Sequence, residues 1–208
     1  MSVVECVAPP PEMVDVAFDL SAACLPEGFE WPLYRALVRL APWLESARSA
    51  GVHPVRATPA TGGGYLVARR AKLVLRMPRD RICSASVFEG AELDIGTDEP
   101  MRLGTGTLRK LEPAPTVYAA RVVTGDSDEV VFSAHLLEEL EALGIRRPIV
   151  CGKRSTVAFD GVEMPAFSVA VHGLGDPASL LLQSAGLGLA RAIGCGLFVP
   201  HKTIVAVE

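Results

Sequence analysis

With 208 residues, half of them apolar and 21% charged, the chain can bury a real core as one domain or two small ones, and its composition excludes a disordered protein. The five cysteines (Cys6, Cys24, Cys83, Cys151, Cys195) are scattered and form no C-x-x-C pair, which argues against a disulfide framework or a zinc site and fits a reducing, cytoplasmic setting. A formal net charge of -4 argues against a nucleic-acid partner until its distribution is considered.

The start, MSVVECVAPPPEMVD, has acids and a triple proline where an export signal needs a basic end and an apolar run, so none is expected. Over residues 13–22, Val14, Val16, Phe18 and Leu20 alternate with the period of a half-buried strand. Residues 31–50 place Leu33, Leu37, Leu40 and Leu44 at helical spacing, with Pro32 tolerated in the first turn and Pro42 bending the later part. Strands are expected at 51–60 and 65–78, parted by the turn Thr61-Gly62-Gly63-Gly64. Residues 79–96 suit a short helix and a fourth strand, and 103–115 a hairpin running into a proline-rich link.

The order then repeats. A strand at 116–125 leads to a helix at 127–145, capped by Ser127 and stopped by Gly144. Two more strands precede a helix opened by Asp176 and Pro177, and LFVPHKTIVAV closes the chain as a strand. Each half spells β-α-β-β-α-β. The expected class is therefore α+β with two tandem ferredoxin-like (RRM-like) domains, 1–115 and 116–208.

Charge is divided along this order. Arg56, Arg69, Arg70, Lys72, Arg76, Arg79 and Arg81 face one acid, Asp80, within 56–81, and Arg146, Arg147, Lys153 and Arg154 follow later, while acids gather in 89–99 and 126–141. Such a chain can present one positive face while staying acidic overall, or it can simply carry solvated surfaces. Residues 178–199 are the sole candidate membrane span, and Gln183, Arg191 and the repeated glycines argue against it. No membrane partner is expected.

Residues 186–202, GLGLARAIGCGLFVPHK, partly imitate two nucleotide motifs. No lysine follows a glycine as a P-loop requires, and the dinucleotide fingerprint fails at its third glycine, where Arg191 stands. One remaining reading is a loop whose backbone amides approach an extended phosphate chain through Gly186, Gly188, Gly194 and Gly196, with Arg191, His201 and Lys202 adding polar contacts. The other is a tightly packed connection whose glycines allow close backbone contact. Spacing leaves both open.

The run LLQSAGLGLARAIGCGLFVPHK resembles the glycine-rich motif of the CRISPR-associated endoribonucleases that process repeat RNA into guide RNA, particularly the Myxan-like subtype. GVHPVR (51–56), ARRAKLVLRMP (68–78) and FSVAVHGL (167–174) resemble the same subtype, so the likeness spans most of the chain. It implies two packed ferredoxin-like domains, a glycine loop against the RNA backbone, and cleavage without metal or cofactor. In that chemistry a 2′-hydroxyl attacks the adjacent phosphate, leaving a 2′,3′-cyclic phosphate and a 5′-hydroxyl. The implied partners are a CRISPR repeat RNA hairpin, the guide RNA made from it, and other subunits of a CRISPR effector complex.

Four histidines are available for proton transfer. His135 reads as a surface residue, His172 as structural, and His201 as an RNA contact beside the glycine loop. His53, next to the most basic stretch, is the candidate general acid/base, against a structural reading as a strand-edge histidine. Relatives often carry a histidine at the start of the first helix, where this chain has Phe29 and Glu30. Tyr34, one turn on, is a candidate for orienting the 2′-hydroxyl, and Arg69, Arg70 and Lys72 for lining the RNA track. Rival readings are a repeat-hairpin-binding subunit that cuts weakly or not at all, and an unrelated small-molecule enzyme on the same scaffold.

Overall fold

The structure, a computed structural model, describes residues 12–22 and 24–201. Lys202 and the rest of the expected closing strand lie outside the described residues.

In the first half, strand β1 (Met13–Ser21) is followed by β2 (Cys24–Leu25), helix α1 (Glu30–Leu40), the single turn α2 (Trp43–Ser46) and β3 (Gly51–Val52). Then come β4 (Ala57–Pro59), β5 (Tyr65–Val67), β6 (Lys72–Pro78), a 3₁₀ segment (Arg79–Phe88), β7 (Glu92–Leu93) and β8 (Met101–Lys110). The second half holds β9 (Thr116–Val122), α3 (Glu129–Ala142), β10 (Ile149–Phe159), β11 (Val162–His172), α4 (Asp176–Ala185) and β12 (Val199–Pro200).

The main sheets run β3-β6-β1-β8-β7 and β10-β11-β9-β12, and every pairing is antiparallel. Leaving aside the two-residue β7, each reads second-third-first-fourth in its half, which is the ferredoxin-like order, now present twice. The remaining strands form a small sheet, β2-β5-β4, appended to the first half.

Several local expectations are corrected. Residues 103–115 hold no hairpin, because Gly104 and Gly106 sit within the continuous strand β8, where a Cβ would stand 2.9 Å from Asp19 Cβ and from Phe18 Cε1 of β1. Those glycines allow close strand packing rather than a turn. The first helix ends at Leu40, and Pro42 caps a separate turn instead of bending one helix. Residues 51–60 and 65–78 each split in two, and the pieces that flank the glycine turn, β4 and β5, join the small sheet. Asp128, not Ser127, caps α3, accepting from the amides of Val130 (2.9 Å) and Val131 (3.1 Å). Gly175 caps α4, with Asp176 in its first turn.

Alternation decides which faces are buried. Val14, Val16 and Phe18 of β1 pack with Leu33 and Leu37 of α1, and Val117 and Ala119 of β9 with Phe132, Leu136 and Leu140 of α3. The intervening residues, Asp15 and Ala17 on one sheet and Tyr118 and Ala120 on the other, fall on the helix-free faces. A third cluster of Val123, Val157, Ala166, Ile193 and Cys195, packed against Trp31 and Phe159, seals the junction of the halves.

The glycine segment belongs to that junction. Gly186, Gly188, Gly194 and Gly196 all have φ between 64° and 90°. A Cβ on Gly196 would collide with the Leu187 carbonyl, one on Gly188 with that of Val123, and one on Gly194 would lie 2.8 Å from the Val52 carbonyl. Gly196→Ala therefore adds left-handed strain to a backbone collision and should cost about 2–4 kcal/mol. Gly62→Ala, with open space around it, should stay within about 0.5 kcal/mol in the same denaturant titration; equal small losses would contradict this packing.

Candidate functional site

Strand register builds the site. Asp15 of β1 lies opposite Arg76 of β6 on one side and Arg109 of β8 on the other, and Asp19 lies opposite Lys72. With a side-chain period of two, these charged groups share the helix-free face of the first sheet. Tyr118 and Ala120 present the helix-free face of the second, beside Val199 and Pro200. Between the faces runs a cleft of about 720 Å³ lined by Asp15, His53, Arg56, Arg70, Lys72 and Arg109 from the first half and by Tyr118, Gly194, Leu197, Val199 and Pro200 from the second. Asp19 pairs with Lys72 at the cleft margin.

The charged centre of this face is Arg76, only 1% exposed. Its Nε and Nη2 donate to the two oxygens of Asp15 (2.7 and 2.9 Å), and its Nη1 donates to the carbonyls of Gln183 (2.9 Å) and Phe198 (2.7 Å). Both carbonyls belong to the second half. Burial alone would raise the Asp15 carboxyl, but its interactions with His53 and Arg76 outweigh that and hold it well below the usual carboxylate range.

His53 continues the chain beyond β3, its amide donating to the Val74 carbonyl at 2.8 Å. Its side chain is 12% exposed, and Nε2 lies 3.4 Å from Asp15 Oδ1. That atom is buried and meets no partner in hydrogen-bond geometry. Burial pushes the imidazole pKa below its ordinary value; Asp15 opposes the shift, and the charges of Arg76 and Arg191 add to it. His53 is thus a neutral ring at the cleft wall.

Arg191 is not placed to hold phosphate. Its guanidinium donates to the carbonyls of Ser49 (2.8 Å), Ala185 (2.6 Å), Ser184 (2.9 Å) and Gln183 (3.3 Å), so each of its nitrogens is engaged within the protein. The loop amides are similarly engaged: Gly186 donates to Leu182, Gly194 to Arg191, Gly196 to Arg121 and Gly188 to Glu139. Of the four glycines, Gly194 alone lines the cleft. The tightly packed reading of this segment therefore fits the geometry, and the loop buttresses β3: a Cβ on Gly51 would stand 2.6 Å from the Arg191 carbonyl.

The other sequence-derived candidates separate. Arg70 and Lys72 line the cleft; Arg69 is exposed in the turn between β5 and β6 and does not. Tyr34 also lies outside the cleft lining, its hydroxyl donating to the Leu44 carbonyl (3.3 Å) and its ring stacked on Trp31, which meets Phe159 across the junction. His201 is exposed at the rim, its ring 5.3 Å from that of Tyr118. Glu30, at the start of α1, pairs with Arg121 across the junction at 2.8 Å. Sequence reading missed Asp15, Arg76, Arg109 and Tyr118 as parts of one site. The alternation in MVDVAFDL placed Asp15 opposite the core face, but only strand pairing brings it to Arg76 and Arg109.

The depressed His53 pKa has a definite sign in stability. An unfolded chain takes up a proton near pH 6.5 that the folded His53 resists, so stability falls as pH drops through that value. Denaturant unfolding at pH 7.5 and pH 5.5 should show a larger loss for the wild type than for His53→Gln. Equal losses would mean that His53 is not held neutral.

Comparison with known proteins agrees with this architecture. The Cas6 Crispr family model matches residues 14–203. The CRISPR-associated endonuclease Cas6 of Myxococcus xanthus (strain DK1622) is 32% identical over 196 residues, covering 94% of this chain and 84% of that protein. Among solved structures, a CRISPR associated protein Cas6 superposes with TM-score 0.64 at 9% identity, covering 92% of this chain and all of the other. The CRISPR endoribonuclease Cse3 bound to 19 nt RNA gives 0.52 at 11% identity, with 91% and 98% covered. A family model spanning nearly the whole chain, joined to a relative alike over the same span, places the chain in the Cas6 family.

Proposed function

We propose that the protein is a metal-independent endoribonuclease that binds CRISPR repeat RNA in the cleft between its sheets and cuts it to release guide RNA. The observation that supports this reading is the convergence of Arg56, Arg70, Lys72 and Arg109 with a neutral histidine in one cleft. RNA duplexes are recognised through shape, phosphates and 2′-hydroxyls, which such a groove can engage. The bonding changes are those of internal transesterification. The 2′-oxygen bonds to phosphorus as the bond to O5′ breaks, His53 takes the 2′-hydroxyl proton, and water protonates the leaving oxygen. Cleft cations offset the charge developing on the phosphate.

The two halves, 1–115 and 116–208, act together on this reading, one supplying His53 and most of the cations and the other Tyr118, His201 and the buttressing loop. The free cysteines among the described residues, Cys24, Cys83, Cys151 and Cys195, suit work in the cytosol. No helix among the described residues is long and apolar enough to cross a membrane. The family assignment displaces the small-molecule reading. A second reading, a subunit that holds the repeat hairpin and cuts poorly, is favoured by the shielding of His53 and by Glu30 at the helix start. Partner subunits of an effector complex belong to either reading.

Repeat RNA incubated in chelator should be cut, whereas a copy with one 2′-deoxy nucleotide at the scissile position should stay intact. His53→Ala should lose about 10²-fold or more in single-turnover rate while keeping RNA affinity within a few-fold. Tight binding without cutting by the wild type would select the second reading, and undiminished cutting by His53→Ala would remove His53 from the chemistry.

A further inference from the structure

We infer that Asp15 is a positioning residue for His53: its carboxylate, locked by Arg76, selects the imidazole tautomer with the proton on Nε2 and leaves Nδ1 to act on the substrate. The inference rests on the proposed cleavage in this cleft. Its basis is geometric. Asp15 cannot turn away, because each of its oxygens receives a bond from Arg76, which the carbonyls of Gln183 and Phe198 hold in turn. His53 Nε2 is buried, 3.4 Å from Oδ1, with no competing partner.

A neutral imidazole has one donor and one acceptor nitrogen, and an ionised carboxylate only accepts. The nitrogen facing Asp15 must then be the donor, and Nδ1 keeps the lone pair. In this structure Nε2 and Oδ1 stand 3.4 Å apart but out of hydrogen-bond alignment, so a small turn of the ring closes the bond; catalytic hydrogen bonds often align only once substrate is bound. When Nδ1 takes the 2′-hydroxyl proton, Asp15 lies ready to stabilise the imidazolium. The charged groups that face this ring are Asp15 on β1, Arg76 on β6, Arg191 on the glycine loop and Glu30 at the start of α1, with Arg56, Arg70, Lys72 and Arg109 along the same cleft. Asp15 is the acid placed against Nε2. The second half takes part through Gln183 and Phe198, so the ring's setting depends on how the two halves dock.

The decisive experiment needs no RNA. NMR of the full chain carrying ¹³C,¹⁵N-labelled histidine should show wild-type His53 protonated on Nε2 above its pKa, and Asp15→Asn should give a mixture of tautomers and a lower His53 pKa. In single-turnover cleavage, Asp15→Asn should be about 10²-fold slower at unchanged RNA affinity, with its acid limb at lower pH. The double variant with His53→Ala should be no slower than His53→Ala alone. Should Asp15→Asn fail to fold, Asp15→Glu keeps Arg76 paired while moving the carboxylate, and the tautomer bias should weaken there too. A wild-type ring protonated on Nδ1, an unchanged tautomer in the folded variant, or an additive rate loss in the double variant would overturn the inference. Intact RNA with the wild type would instead defeat the cleavage reading, leaving the tautomer measurement to decide this one.

Discussion

A guanidinium taken out of water must find acceptors for its N–H groups, and Arg76 finds them on both sides of the molecule. Two are the oxygens of Asp15 on its own sheet, and two are carbonyls at the end of α4 and beside β12. Removing one partner of such a buried pair typically costs about 3–5 kcal/mol, because the other charge stays buried and uncompensated. The two sheets are thus held face to face by a charge that neither half could satisfy alone. Arg191 makes the reciprocal contact, reaching from the glycine loop to the Ser49 carbonyl in the first half.

The same burial shapes the chemistry. Burial of His53, with the charges of Arg76 and Arg191 beside it, disfavours a third positive charge there and keeps the ring neutral, while Asp15 stays ionised through its partners. On the proposed reading, a neutral base beside a fixed carboxylate, with the exposed Arg56, Arg70 and Arg109 along the same cleft, separates proton transfer from phosphate binding. Gly51 and Gly194 allow the close approach of β3 to the loop that this arrangement needs, since a Cβ on either would meet backbone oxygen. The glycine segment acts on the site by fixing the strand that leads into His53.

Much of the fold was legible in the sequence. Alternation in MVDVAFDL, the helix around VVFSAHLLEELEA and the repeated β-α-β-β-α-β order reappear as elements, with a 3₁₀ segment in place of the second helix of the first half. What failed was local: Gly104 and Gly106 look like turn residues until the neighbouring strand shows that they make room for Phe18 and Asp19. The site was less legible. His53, Arg70 and Lys72 line one cleft, but Arg191 and the glycines look in sequence like a phosphate cradle because sequence cannot show that carbonyls and packed backbone already occupy them. Tyr34 was drawn in by its nearness to the helix start, whereas its hydroxyl faces Leu44. Asp15 stayed hidden because Arg76, which holds its carboxylate, is 61 residues away along the chain.

The central claim is that the cleft cations touch phosphate while the glycine loop only holds the halves in place. The salt dependence of repeat-RNA affinity measures this most directly, because each lost phosphate contact reduces the slope of log K against log salt by about 0.7–0.9. Arg70→Ala and Arg109→Ala should each flatten the slope by that amount, and folded Arg191→Met should lower stability and leave the slope unchanged. A flattened slope for Arg191→Met, with unchanged slopes for the other two, would put the phosphate on the loop and contradict the claim.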